Sequence, residues 1–283
     1  MTEQAQADPG LLGRAVRTIR RRLLDRFVLR PTRHSIPHQP KRREVISCGE
    51  WEIESFVQSF GPEGRPPDLL VLKFPGTGGR GERASEFPTA FLPGVACELR
   101  TWNPPGYGKS SGRASLTSIP EAARIYLRKV LEQTDRTVTR VWLVGNSLGC
   151  VTSLSLASRN DVPIDGIVLR NPPPLIEVVQ REARRYPLGS LVDPICNSLV
   201  PEMNALITAA KTTAPTLMLQ SELDELVPPE SQDRVFEALA GPKRTLVLKG
   251  IGHGGIPSED QHDEIAESIA WLWQHTRRTV ACN

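Results

Sequence analysis

The sequence predicts an α/β fold, a mostly parallel sheet with helices on both faces, and three observations carry this. Short strand-like runs alternate with segments of helical spacing along most of the chain, and such alternation builds parallel sheets through crossover helices. The inner runs, DLLVLKF (68–74) and RVWLVG (140–145) among them, are almost continuously apolar, as strands buried on both faces must be. The second run then breaks abruptly into Gly145-Asn146-Ser147-Leu148-Gly149, two glycines that a strand would not carry without reason.

In chain order, REVISCGEWEIESFV (43–57) shows period-2 character on both sides of Gly49 and predicts a hairpin. Strands are expected at 68–74 and 95–103, a helix at 118–134, a strand at 140–145 and a helix at 148–159. DGIVLRN (165–171) and APTLMLQ (214–220) are further strands, followed by a helix at 230–240, a strand at 244–250 and a closing helix at 258–276. Residues 171–213 break this rhythm. They open Asn-Pro-Pro-Pro, hold two short helical stretches and no strand, and are too long for an ordinary connection. They are expected to form a small helical cap over the carboxyl edge of the sheet, where ligands of such folds bind.

At 283 residues the chain is long enough to bury a core without staples. Its 5% aromatic content argues against a nucleic-acid stacking platform. Cys48, Cys97, Cys150, Cys196 and Cys282 are scattered without CxxC spacing. They suit reduced, packed thiols rather than a disulfide frame or a zinc site, which favours a cytoplasmic protein without a metal. No apolar run approaches a membrane span, and Met1–Gly10 is too polar for a signal peptide.

Charge is unevenly spread. Residues 1–43 hold eleven Lys/Arg against three acids (Glu3, Asp8, Asp25), a net +8, leaving a body of net −5. Within this arm, taken as residues 1–42, Leu12, Ala15, Val16, Ile19, Leu23, Phe27 and Val28 recur at helical spacing among arginines, up to Pro31. Two roles are open for such a basic amphipathic helix. It packs its stripe on the body and leaves the arginines solvated, or it holds the protein peripherally on an anionic membrane surface. Glu3 and Asp8 speak against an Arg-rich targeting peptide.

NPPGYGKSSG (103–112) contains Gly-Lys-Ser, but Asn103 stands where a phosphate-binding loop needs its first glycine. Pro104 and Pro105 also lack the N–H groups that would face phosphate. The serine of GNSLG is the better lead: G-x-S-x-G on a strand-to-helix turn is a nucleophile elbow, whereas a plain helix cap would not need both glycines. A serine nucleophile requires a base and a group to orient it. His34 and His38 lie in the arm's Pro-rich tail, and His262 and His275 fall in the closing helix. His253 sits in KGIGHGG, just past the strand at 244–250 and so at the same sheet edge as Ser147. After the strand at 214–220, SELDELVPP offers Asp224 as the acid, with Glu225 and Glu222 as alternatives, while Asn171 after the preceding strand cannot carry the charge. The oxyanion donors are expected to be the N–H of Leu148 and that of Thr77, in the glycine-rich loop FPGTGGRG (74–81).

With GNSLG, NPPGYGKSSG, SELDELVPP and GIGHGG in order, the chain from about residue 43 resembles an α/β-hydrolase. RYPLGSLVDPICN ahead of APTLMLQSELDELVPP is more narrowly similar to the Bem46-like branch, serine hydrolases with a short cap, some of them anchored to membranes. The chain departs from the commonest pattern in carrying Phe74-Pro75-Gly76 where His-Gly usually precedes the oxyanion donor. The resemblance implies an eight-stranded mostly parallel sheet over residues 43–283, with no metal and no organic cofactor. The expected function is hydrolysis of a small or lipid-like carboxylic ester or thioester by Ser147, His253 and Asp224 through an acyl-enzyme. Acyl transfer, peptide hydrolysis and a non-catalytic binding role are the alternatives. Halide removal is excluded, since it would need an aspartate at position 147.

Overall fold

The strand-like runs form one eight-stranded sheet in a computed structural model, which describes residues 10–62, 65–137 and 139–276. Glu3, Asp8 and Cys282 lie outside those residues. The hairpin is β1 (Arg42–Cys48) and β2 (Trp51–Phe60), antiparallel and turned at Gly49, whose φ of +65° is left-handed. β3 (Leu69–Phe74), β4 (Cys97–Trp102), β5 (Arg140–Asn146), β6 (Gly166–Arg170), β7 (Thr216–Ser221) and β8 (Lys243–Leu248) run parallel. The strand order is β1-β2-β4-β3-β5-β6-β7-β8, with β2 antiparallel to β4. After β3 the chain turns toward β4, and after β4 it crosses back to β5 on the other side of β3. The carboxyl ends of β3 and β5 therefore flank the switch point where open α/β sheets bind ligands.

Alternation along the inner strands divides two cores. Leu70, Leu72, Leu143 and Leu169 join one, while Leu69, Val71, Trp142 and Val168 join the other. Helix α1 (Leu11–Val28) precedes the sheet, and α2 (Ser118–Leu131) and α3 (Leu148–Ala157) cover the first core. The 171–213 segment carries α4 (Leu175–Ala183), α5 (Asp193–Cys196) and α6 (Ala205–Ala209), joined by 3-10 turns at Gly189–Val192 and Pro201–Met203. This is one short helix more than the sequence suggested. α7 (Pro229–Ala238) adds Val235 to the first core, and α8 (His262–His275) covers the second with Ile265, Ile269 and Leu272.

The arm's helix packs only in part. Leu24, Asp25 and the following Leu29 are buried, yet Leu12 is 80% and Phe27 51% exposed. Asp25 accepts a hydrogen bond from the Leu116 N–H at 2.8 Å, and Arg21 Nε donates to the Ser198 carbonyl at 3.1 Å. Burial centres on Leu24, one position beyond Leu23 and so turned about 100° around the axis. The flank of the apolar stripe docks, and its middle stays outside.

Candidate active site

Ser147 occupies the turn between β5, which ends at Asn146, and α3, which begins at Leu148. With no residue to spare, it adopts φ 52° and ψ −119°, a region that costs a non-glycine residue about 1–3 kcal/mol. Its N–H donates to the Arg170 carbonyl and its own carbonyl accepts from the Cys150 N–H, both at 2.8 Å. The flanking glycines are needed for close approach. A Cβ on Gly145 would lie 2.4 Å from Cys150 Cα, and one on Gly149 would lie 1.9 Å from the Phe74 carbonyl oxygen.

His253, in the loop after β8, places Nε2 3.0 Å from Ser147 Oγ and Nδ1 2.7 Å from Asp224 Oδ2. Asp224 is 3% exposed, so its charge must be answered locally. Its Oδ1 accepts from the N–H groups of Leu226 (3.0 Å) and Val227 (2.8 Å), and Gln232 Nε2 lies 3.3 Å from Oδ2. Of the alternative acids, Glu222 accepts from the Gly250 N–H at 2.8 Å, and Glu225 is exposed. Arg181 of α4 donates to the Leu226 carbonyl at 2.9 Å, tying the 171–213 segment to the loop of Asp224.

Asn171 has a part that sequence reasoning missed by asking only whether it could be the acid. Fully buried and at φ 53°, it accepts from the Ser221 N–H at 2.8 Å. Its Nδ2 donates to Ser221 Oγ and to the His253 carbonyl, each at 3.0 Å. One carboxamide thus fixes the loops that carry Asp224 and His253 to the end of β6.

Leu148 is the first residue of α3, so its N–H has no partner within the helix and lies at the helix's positive end. The loop after β3 abuts the serine through Gly76, on which a Cβ would come 3.3 Å from Ser147 Cβ. The neighbouring Thr77 is gripped from outside. Its hydroxyl donates to the Val28 carbonyl, and its carbonyl accepts from the Arg30 N–H (3.2 Å) and from Tyr107 Oη (2.7 Å). Burial raises the Tyr107 hydroxyl to about 12, so it is present as the neutral donor this bond needs. Tyr107 belongs to NPPGYGKSSG, where the Lys109 N–H is already bonded to Glu54 Oε2 at 2.5 Å. A backbone committed to a carboxylate does not cradle phosphate, and this segment braces the Thr77 loop instead.

Cys48, Cys97, Cys150 and Cys196 are free and buried. Burial pushes the Cys48 and Cys196 thiols up to about 11 and Cys97 to about 12, so they are poor nucleophiles. Among the described residues no cluster of three or more His, Cys, Asp or Glu is placed to hold a metal, and no helix is long and apolar enough to cross a membrane.

A family model described as alpha/beta hydrolase fold matches residues 96–193, and one described as TAP-like protein matches residues 198–267. The chain has the α/β-hydrolase fold. It is 28% identical over 212 residues to an uncharacterized protein of Mycobacterium tuberculosis, covering 75% of this chain and 69% of that one. It is 23% identical over 216 residues to protein bem46 of Schizosaccharomyces pombe, covering 76% and 70%. Among solved structures, an esterase from Pyrococcus furiosus superposes with a TM-score of 0.64 at 16% identity, covering 87% of this hydrolase-fold chain and 96% of the esterase.

Proposed function

We propose that this α/β-hydrolase is a serine hydrolase that cleaves carboxylic esters or thioesters. The observation that carries the reading is the unbroken hydrogen-bonded chain from Ser147 Oγ through His253 to the buried Asp224. Ser147 Oγ attacks the carbonyl carbon while His253 Nε2 takes its proton, and Asp224 holds the Nδ1–H tautomer and stabilises the imidazolium. The N–H groups of Leu148 and Thr77 receive the oxyanion. His253 then returns the proton to the leaving group, and water releases the acyl-enzyme by the same path. The esterase and lipase names carried by structural neighbours support this reading. A fluorophosphonate probe should label the wild-type protein at Ser147 and leave Ser147→Ala unlabelled. Absence of labelling in the folded wild-type protein would refute the proposal.

A second reading concerns place. The exposed Leu12, Ile19 and Phe27 stand among arginines on the face of α1 turned from the body, which supports peripheral attachment to an anionic membrane. Sedimentation with phosphatidylserine vesicles that weakens as salt rises tests it.

A further inference from the structure

The sheet face beneath α8 ends in positive charge. Alternation sends Val71 of β3 and Val168 of β6 into the second core, and the next residues on that face are Lys73 and Arg170. Both line a cavity of about 590 Å³ at the carboxyl edge of the sheet, between the loop after β3 and α8. This size suits a small organic ligand. Phe87, Phe91, Val168 and Ile265 give the cavity an apolar wall, while Arg80 and Arg83 add further cations. Among the described residues no Asp or Glu lines it.

Arg80 is answered by an ion pair with Glu82, but Lys73 and Arg170 make none among the described residues. Lys73 Nζ donates to the carbonyls of Ser85 (2.7 Å) and Phe87 (2.9 Å) and to Ser85 Oγ (3.2 Å). Those acceptors satisfy its hydrogens and supply no negative charge. Burial, with the charges of Lys41 and Arg170 close by, lowers Lys73 to about 7. Arg170 donates through Nη2 to the Gly255 carbonyl, yet its Nε is buried with no acceptor.

We propose that this cavity binds an amphipathic organic monoanion, whose acidic head lies against the Lys73 and Arg170 side chains and whose compact apolar or aryl body lies against Phe87 and Phe91. Gly76 and Asn146, which adjoin Ser147, form part of the cavity wall. The anion is thus either the substrate's own acidic group or a separate ligand, and the chemistry recognised is the same.

Calorimetric titration of the full chain with 4-phenylbutyrate and with neutral 4-phenylbutanamide tests this. Saturable binding of the acid is expected, with the amide weaker by at least about tenfold, as for loss of one charge-assisted hydrogen bond. Lys73→Met is expected to weaken the acid and leave the amide unchanged. No saturable binding of the acid, or equal binding of acid and amide, overturns the proposal, and neither result depends on a variant that folds. The two sources separate kinetically, in an arm that rests on the serine-hydrolase reading. If the anion is part of the substrate, 4-phenylbutyrate competes with p-nitrophenyl hemiglutarate and the KM advantage of that ester over p-nitrophenyl butyrate disappears in Lys73→Met. If the ligand is separate, binding persists without competition. Because the titration needs no turnover, an unreactive Ser147 would refute the hydrolase reading alone.

Discussion

Asp224→Asn isolates what the buried acid contributes, because the structure dictates which way the new amide faces. Asp224 Oδ1 accepts two backbone N–H groups, from Leu226 and Val227. An asparagine must put its carbonyl oxygen there, since an NH2 group facing two donors would leave all of them unsatisfied. The NH2 group then takes the place of Oδ2, 2.7 Å from His253 Nδ1, and donates to it. Nδ1 becomes an acceptor, the ring proton moves to Nε2, and Nε2 can no longer accept the proton of Ser147 Oγ. The wrong tautomer is worth about 10⁴ in kcat, or about 5 kcal/mol of transition-state stabilisation. Steady-state hydrolysis of p-nitrophenyl butyrate reads the effect, with urea unfolding to show that the fold survives. Glu222→Gln and Glu225→Gln are expected to stay within about threefold of wild type, as for surface changes away from the chemistry. A folded Asp224→Asn protein within tenfold of wild-type turnover would refute the tautomer argument, and a larger loss in Glu225→Gln would move the acid by one residue.

Gly149→Ala should fail structurally, because its Cβ meets the Phe74 carbonyl oxygen at 1.9 Å; urea titration should show at least about 3 kcal/mol lost. Removal of residues 1–30 withdraws Leu24 and Leu29 from the core and both arm contacts from Thr77. A lower melting temperature and slower ester hydrolysis are expected together, along with lost sedimentation on phosphatidylserine vesicles. Lys73 predicts a pH dependence of stability. Its folded value near 7 lies below the ordinary 10.5, so between these values the unfolded chain binds more protons and stability rises with pH. That rise, of order a few kcal/mol, should be absent from Lys73→Met when urea unfolding is compared at neutral and alkaline pH.

The parts of this molecule legible in its sequence are those that a local pattern forces. Nearly continuous apolar runs mark the inner strands, period-2 alternation marks the hairpin, and helical spacing marks the helices between them. GNSLG is likewise legible as a tight turn, because two glycines within five residues break a strand. His253 and Asp224 were reachable since each follows a strand of the same sheet, and parallel strands deliver their loops to one edge. What escaped is what depends on two distant segments meeting at once. In the sequence Asn171 is only a residue that cannot be the acid, yet its carboxamide bridges β7 and the His253 loop, a contact that no spacing reveals. The sequence leaves the arm either packed through its stripe or free for a membrane. Its helix is instead turned so that Leu24 docks while Phe27 does not, and its end grips Thr77. Lys73 and Arg170 escaped for the same reason. Periodicity assigns each to a face of its own strand but says nothing of register. Only with Lys73 paired to Val144, and Val144 to Val168, does Arg170 fall two residues further along the same face. Two cations that strand periodicity would treat as edge residues thereby share one apolar cavity next to the serine. There, an unpaired charge has a chemical consequence that it would lack on an open surface.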